Sequence, residues 1–204
     1  SVLLLRDEHH QHPAQVTCML LVDSDEALLT AGGSEENDDK GADAAPNDIF
    51  QWDLKFYNVV ARYVGHTGWV RTLAATRVST PEGSFFVSGS TDGTVGVWPV
   101  FQTQTRAVRV ATEVRPQRLI RPGRLAGLSY PLKDRTRLAY IRSIALTDDG
   151  SVLFTAGNDM SLRKFDPRTG DQRELYLGHR DKLTCVAVSP GAHPRFVFSG
   201  SNDG

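Results

Sequence analysis

Cysteines and long apolar runs are both scarce in this sequence of 204 residues. Cys18 and Cys185 are too few for a disulfide framework, so we expect a reducing intracellular compartment, either the cytoplasm or the nucleus. Apolar runs such as residues 2–5 and 19–22 are far shorter than the ~20 residues that cross a bilayer, so no membrane partner is expected. The sequence begins with Ser and without a signal-peptide pattern, and we expect it to start inside a longer protein.

The composition also lacks an excess of charge of either sign. Lys and Arg number 23 and Asp and Glu 24, for a net charge of -1. This balance argues against a surface built as a whole for nucleic acid or anionic lipid. Apolar residues make up 40% and charged residues 23%, which excludes a wholly disordered, collagen-like or coiled-coil chain.

A short pattern recurs four times: two apolar residues, then Ser or Thr, then Gly either directly or after Ala. Its Ser/Thr positions lie 58, 67 and 44 residues apart. If 44 residues form one unit, the longer intervals contain inserts, which we place at residues 34–46 and 115–136. The predicted units are residues 1–54, 55–100, 101–166 and 167–204, and their patterns centre on Thr30, Ser88, Thr155 and Ser199.

Within each unit, apolar residues alternate with a period of two, which predicts short strands and an all-β fold. Tight turns containing Asp with Asn or Gly, as at residues 91–93, separate the second strand from the third. A fourth, outer strand is predicted before each new unit. One such strand is expected at residues 108–114, where Val and Thr alternate with Arg, Ala and Glu.

Two Gly-His pairs and two strand-ending tryptophans complete the pattern. The motifs are Gly65-His66, Gly178-His179, Gln51-Trp52-Asp53 and Val97-Trp98-Pro99. With these residues, nearly the whole chain resembles a WD40-repeat β-propeller, whose blades are sheets of four antiparallel strands. The alternative of an unrelated β-sandwich with short strands does not explain the repeat.

The resemblance implies a structural tetrad, a hydrogen-bonded chain of Trp, Ser or Thr, His and Asp. An indole N–H only donates, a hydroxyl donates and accepts, and an imidazole passes the chain on to a carboxylate. In the third unit, Arg137 replaces the His and Phe165 the Trp, so Thr155 and Asp159 are expected to lack their bridge. The implied members are His66, Ser88, Asp92 and Trp98 in the second unit, His12, Thr30 and Trp52 in the first, and His179, Ser199 and Asp203 in the fourth.

The resemblance further implies a non-catalytic scaffold that binds other proteins or peptides and needs no cofactor. Ser, His and Asp also occur together in hydrolases, but the sequence offers no nucleophile elbow and no oxyanion-hole motif. His9, His10 and His12 form a cluster that no Cys or carboxylate completes at zinc spacing, so no metal site is expected. Cys18 and Cys185 hold the same place in two units and are expected to be small core residues.

Partner contacts are predicted at Trp69, Arg71 and Arg142. Trp69 lies where a loop meets a strand; it either anchors a partner or packs over the edge of its blade. Arg71 and Arg142 share one repeat position. We therefore expect partners to bind the face with the loops that precede the first strands.

The two inserts have opposite charges: residues 34–46 carry a net charge of -4 and residues 115–137 a net charge of +6. Each is either a solvated loop that the fold tolerates or a functional loop, and both are expected on the tetrad face. Arg118, Arg121 and Arg124 recur every third residue beside prolines and a glycine, an extended arrangement suited to phosphates or to an acidic partner. The alternative function is therefore an RNA-associated propeller, as in a ribonucleoprotein or RNA-processing complex, acting through residues 115–137.

The last repeat stops inside a turn, before its third strand and the Trp of its tetrad. We expect residues 1–6 to form an outer strand and the chain to be an incomplete, open propeller of three blades and part of a fourth.

Overall fold

A computed structural model describes residues 15–22, 26–33, 47–77, 83–101, 112–122, 140–191 and 194–204. The elements within these ranges are β-strands, and the predicted all-β fold is confirmed. The described part of the chain contains no helix with the length and hydropathy that a membrane crossing requires. The strands are β1 (Gln15–Val22), β2 (Ala27–Gly33), β3 (Ile49–Asp53), β4 (Asn58–Tyr63), β5 (Val70–Ala75), β6 (Phe85–Ser90), β7 (Val95–Pro99), β8 (Thr112–Val114), β9 (Arg118–Ile120), β10 (Ile141–Leu146), β11 (Leu153–Gly157), β12 (Leu162–Phe165), β13 (Gln172–Tyr176), β14 (Leu183–Val188) and β15 (Val197–Ser201).

The strands form four sheets, which we number as blades 1 to 4 in chain order. Blade 1 contains β1 to β4, blade 2 contains β5, β6, β7 and β9, and blade 3 contains β10 to β13. In each of them neighbouring strands run antiparallel, which confirms the predicted four-stranded blades. Blade 4 contains the hairpin of β14 and β15.

Apolar clusters lie between successive blades, where the innermost strands β1, β5, β10 and β14 contact one another in turn. Between blades 1 and 2, Phe86 and Trp98 pack with Leu29 and Tyr63. Burial of each such side chain stabilises the fold by roughly 1.5–3 kcal/mol. The other two clusters contain Phe85, Val97, Ile141 and Leu153 between blades 2 and 3, and Phe154, Leu162, Leu183 and Val186 between blades 3 and 4.

The chain between blades 2 and 3 corrects the strand assignment made from the sequence. β8 lies within the predicted outer strand at residues 108–114, but it pairs in parallel with β4 of blade 1 as a fifth strand. The outer strand of blade 2 is β9, which lies inside the predicted insert at residues 115–136. Each of these strands has three residues. A strand this short has too little alternation of apolar and polar residues to show from the sequence which strand it pairs with.

Every inner strand begins with a β-bulge at the same place. The pairing of β5 with β6 passes from Val70 to Thr72 and leaves Arg71 outside the ladder. A bulge leaves one residue unpaired in the ladder and re-aims its side chain. The corresponding residues of the other blades are Thr17, Arg142 and Thr184.

Candidate functional site

The blades have two ends, which we call the upper and lower faces. The upper face carries the turn at residues 91–93 and the segment 64–69 that enters β5. Because successive strands run in opposite directions, turns between third and fourth strands, such as residues 166–170, lie on the lower face.

His66 is the centre of a hydrogen-bonded chain in blade 2. Its Nε2 lies 2.7 Å from Oγ of Ser88, and its Nδ1 lies 2.9 Å from Oδ2 of Asp92. Nε1 of Trp98 donates to Oγ of Ser88 at 2.8 Å. The structure thus brings together the four side chains that the family resemblance implies for this blade. With the imidazole proton on Nδ1, Ser88 donates to Nε2, and the hydrogen bonds run in one direction from Trp98 to Asp92.

The carboxylate of Asp92 also accepts hydrogen bonds from both segments of the upper face. The backbone N–H of Thr67 donates to it at 2.9 Å, and Thr94 donates from its backbone at 2.8 Å and from its hydroxyl at 2.6 Å. Burial raises the pKa of Asp92, but the hydrogen bond and charge of His66, together with these other donors, hold that pKa well below its ordinary value. Asp92 therefore fixes the loop before β5 against the turn after β6.

Parts of the same chain occur in blades 1 and 4. Nε1 of Trp52 donates to Oγ1 of Thr30 at 2.8 Å, whereas the predicted member His12 lies outside the described residues. In blade 4, Nε2 of His179 lies 2.9 Å from Oγ of Ser199, and its Nδ1 lies 3.0 Å from Oδ1 of Asp203. The backbone N–H of Arg180 is the main cause that lowers the pKa of Asp203 to about 2.

Blade 3 has a buried arginine in this place, which the repeat pattern does not predict. Arg163 is 2% exposed, and its Nη2 lies 2.6 Å from Oδ2 of Asp159. The hydroxyl of Ser161 donates to the same carboxylate at 2.8 Å, as Thr94 does in blade 2. The guanidinium of Arg163 thus supplies to Asp159 the contact that the imidazole of His66 supplies to Asp92 in blade 2.

The strand register shows how Arg163 reaches this position. Arg163 lies opposite Thr155, and Gly96 lies opposite Ser88 at the matching place in blade 2. Blade 3 therefore has a long cationic side chain where blade 2 has a glycine. The sequence contained a sign of this buried arginine. Arg163 is a charged residue within a third strand, β12, which the repeat pattern predicts to be buried.

Trp69 is half-buried on the upper face, at the junction between blades 1 and 2. A Cβ added to Gly33 of β2 would lie 2.5 Å from Cγ of Trp69, so the indole packs closely on that glycine. The guanidinium carbon of Arg71 lies 4.9 Å from the centroid of the Trp69 ring, and Arg71 itself is exposed. The indole supports the Arg71 guanidinium by a cation–π contact. A role of these two residues in partner binding stays a prediction.

Arg142 lies at the corresponding bulge of blade 3 and is exposed. Its Nε donates to Oδ1 of Asn158, in the turn that follows β11. Arg142 and Arg71 thus lie at equivalent places on neighbouring blades, and each guanidinium is held by a contact with its own blade.

Arg118 reaches the lower face, which corrects the expectation of the tetrad face for this residue, whereas residues 123–137 of the basic segment lie outside the described residues. Its Nη1 donates to the backbone oxygen of Thr169, in the turn between β12 and β13, at 2.8 Å. The reason is that β9 pairs antiparallel with β7 and begins at the lower end of blade 2. Arg121 follows β9 and is exposed. Arg124 and the acidic segment 34–46 lie outside the described residues.

Cys18 and Cys185 have different surroundings, although they hold equivalent places. Sγ of Cys18 contacts the backbone oxygen of Val70 in blade 2 at 3.9 Å, and burial raises the pKa of this thiol to about 11. Cys185 is exposed, which corrects its prediction as a core residue. In blade 1 the neighbouring blade 2 covers this position, whereas none of the described residues covers it in blade 4.

The burial of the blade 2 tetrad indicates a structural role. Ser88 is 0% and His66 7% exposed, and the Ser88 hydroxyl is engaged by both Trp98 and His66. A nucleophile must reach its substrate, so this buried hydroxyl is unsuited to attack one. Among the described residues, no three His, Cys, Asp or Glu side chains form a group that could hold a metal ion. The candidate ligands His9, His10 and His12 lie outside those residues.

Comparison with known proteins relates the repeat to curated sequences. The family model "WD domain, G-beta repeat" matches residues 57–99 and 135–166. The serine-threonine kinase receptor-associated protein of Gallus gallus is 29% identical over 127 residues, which are 55% of this chain and 36% of that protein. The guanine nucleotide-binding protein subunit beta of Oryza sativa subsp. japonica is 22% identical over 195 residues, which are 92% of this chain and 42% of that protein. The chain thus spans less than half of the length of these relatives.

The solved structure of U3-55K superposes on the chain with a TM-score of 0.60. It covers 87% of this chain and 44% of that chain at 14% identity. At this identity the likeness shows the fold alone.

Proposed function

Because the chain belongs to the WD40-repeat family, we propose that it is a non-catalytic scaffold that holds partner proteins on its upper face. The relatives support an assembly role: one is named as receptor-associated and another as a subunit. Both names describe those proteins, and the exposed upper face of this chain supports the same role independently.

The bulges at Arg71 and Arg142 carry the proposal. Both residues lie outside the ladder and are exposed on the upper ends of neighbouring blades. The sheets do not need Arg at a bulge, because the residue makes no ladder pair there. Trp69 and Asn158 hold the two guanidinium groups in place. The arginines therefore lose little side-chain entropy when a partner binds, which favours binding.

The chemistry of this surface favours an acidic peptide segment as the partner. Arg presents a planar set of donors that matches a carboxylate, and aromatic and Arg side chains are frequent anchors in protein interfaces. The half-buried indole of Trp69 supplies apolar area beside Arg71, at the junction between blades 1 and 2.

Charge reversal at the two bulges tests the proposal. The full protein, the double variant Arg71→Glu/Arg142→Glu and the control Arg195→Glu, an exposed arginine of blade 4, are used to capture proteins from nuclease-treated cell extract. Quantitative mass spectrometry should show at least one partner whose binding falls about thirtyfold with the double variant only, since each of the two reversed charges at an interface rim costs about 1 kcal/mol. Unchanged recovery of every partner, with an unchanged melting temperature, contradicts the proposal.

The RNA-associated alternative predicts a different dependence on salt. Each phosphate contact releases counterions, so RNA binding falls steeply between low and high salt, whereas an interface with aromatic anchors persists. Arg118 on the lower face and Arg71 on the upper face lie at opposite ends of the blades, which disfavours one continuous RNA surface. Nuclease-sensitive capture that disappears at high salt would favour the alternative.

A further inference from the structure

A cleft opens on the lower face between blades 2 and 3, with a volume of about 140 Å³. We call it the lower cleft. Its walls come from β6, β7 and the start of β9 on one side, and from the turn after β12 on the other. The lining residues are Phe85, Val97, Gln117, Arg118, Pro167 and Arg168.

The floor of the lower cleft is apolar and fixed. Phe85 and Val97 are 7% and 5% exposed, and Pro167 is buried. A Cβ added to Gly150 of blade 3 would lie 2.5 Å from Cζ of Phe85, so this ring is wedged against the neighbouring blade. A protein cavity of about 150 Å³ admits benzene. The lower cleft therefore has room for one aliphatic or aromatic side chain.

The rim of the lower cleft is cationic. Arg118 and Arg168 are exposed and belong to different blades. Arg118 is held in place by its hydrogen bond to the backbone oxygen of Thr169, which spans the two blades at 2.8 Å. The neighbouring carboxylate of Asp166 is engaged by the backbone N–H of Arg168 at 2.9 Å and by Arg173 at 3.0 Å.

We propose that the lower cleft is a second binding site, which takes a short peptide segment with an apolar side chain flanked by Asp or Glu. The apolar side chain fills the floor, and the flanking carboxylates pair with Arg118 and Arg168. The proposal goes beyond the scaffold role of the upper face, because it rests on other residues and stands if that face binds nothing.

A peptide fits the lower cleft better than RNA does. Proteins that bind single-stranded RNA stack its bases on exposed aromatic faces. The aromatic ring of this cleft, Phe85, is more than nine-tenths buried and forms the floor. A narrow pocket with charges at its rim matches one side chain between two acidic neighbours.

Isothermal titration of the full protein with defined peptides tests the site. The probe is the capped peptide Gly-Asp-Leu-Asp-Gly, and the control peptides replace both Asp by Asn, or Leu by Gly. The variants are Arg118→Gln and Arg168→Gln, with Arg195→Gln on blade 4 as a control for the loss of one exposed charge. Melting temperatures confirm that each variant is folded.

We expect the probe to bind and each control peptide to bind at least fivefold more weakly. Arg118→Gln and Arg168→Gln should each weaken probe binding about fivefold, in line with a charged hydrogen bond at a rim, whereas Arg195→Gln leaves it unchanged. Equal binding of all three peptides, or equal effects of all three variants, overturns the proposal. Tighter binding of a short oligouridine, lost in the same two variants, also overturns it and assigns the arginines to phosphate.

Discussion

The indole of Trp98 lies directly against the backbone of Gly96: a Cβ added to Gly96 would lie 2.5 Å from Nε1 of Trp98. The same Nε1 donates to Ser88, so the glycine leaves the space in which the tetrad forms. At the two matching positions, blade 3 has Arg163 in place of the glycine and Phe165 in place of the tryptophan. The two blades thus stabilise the same turn with different side chains.

Gly96→Ala should destabilise the protein by about 1–3 kcal/mol, because the added methyl displaces the indole and strains a packed core. Gly96 lies within the regular strand β7, where alanine is also accommodated by the backbone. The predicted loss of stability therefore comes from the clash between the added methyl group and the Trp98 indole. Urea unfolding measures the change in the free energy of unfolding. Gly178→Ala is the matched control, since an added Cβ there meets nothing within 4 Å, and equal effects of the two substitutions would contradict the prediction.

Asp92 should make the stability of the protein sensitive to acid. Its pKa in the folded state lies below the value of about 3.9 in an unfolded chain, so the folded state binds the proton less readily. The stabilisation is therefore fully present above the unfolded pKa and is lost as the pH falls towards the folded pKa. Urea unfolding from pH 7 to pH 3 should show a stability difference between wild type and Asp92→Asn that shrinks below about pH 4. A difference that stays constant with pH would show that charge plays no part.

The pair of Arg163 and Asp159 should show strong coupling. Removal of one partner from a buried ion pair leaves an uncompensated charge and costs about 3–5 kcal/mol. Arg163→Met should therefore destabilise blade 3 by about this amount, and Asp159→Asn in the Arg163→Met background should cost much less than it does alone. A double-mutant cycle of unfolding free energies measures the coupling. Additive effects of the two substitutions would exclude it.

Tyr57 should be replaceable by glycine with a gain in stability. Tyr57 has φ 57° in the turn between β3 and β4, and Gly170, with φ 81°, has the corresponding place in blade 3. The backbone N–H of each donates to the carbonyl four residues earlier, Asp53 at 2.8 Å and Asp166 at 2.7 Å. Because an L side chain is strained at such φ, Tyr57→Gly should raise the free energy of unfolding by about 0.5–1 kcal/mol. Gly170→Ala is the reciprocal change.

Gly170→Ala should lower the free energy of unfolding by a similar amount or more, because the added Cβ would also lie 3.0 Å from Cδ of Arg118. Thermal melts of both variants measure the changes. A destabilising Tyr57→Gly would show that contacts of the tyrosine ring, which is half exposed, outweigh the backbone strain.

Repetition made the blades predictable from the sequence, because each unit repeats the same alternation and the same turn residues. The strands from Phe85 to Pro99 follow the pattern closely, and their side chains meet as the family resemblance implies. The strands and turns of each unit are determined by residues within that unit, so the sequence of a single unit is enough to predict them.

Pairing between distant short segments was the part that the sequence did not reveal. β8 has a weak pattern, and its choice of β4 over β7 depends on tertiary packing. The burial of Arg163 was not predicted for a related reason. It depends on the ion pair with Asp159, and a charged residue within a strand is ordinarily assigned to the exposed face. The position of Arg118 on the lower face depends on the pairing of β9 with β7. Because the sequence did not predict that pairing, it did not predict the position of Arg118 either.

The path of the chain through β8 and β9 makes two blades depend on one later segment for their edge strands. After β7 the chain first adds β8 to the edge of blade 1 and then returns to add β9 to blade 2. Blade 1 thus acquires its fifth strand, and blade 2 its fourth, only after residues 112–120 have been synthesised. A nascent chain that ends at residue 100 has neither strand, so the edges of both blades are completed by the same later segment.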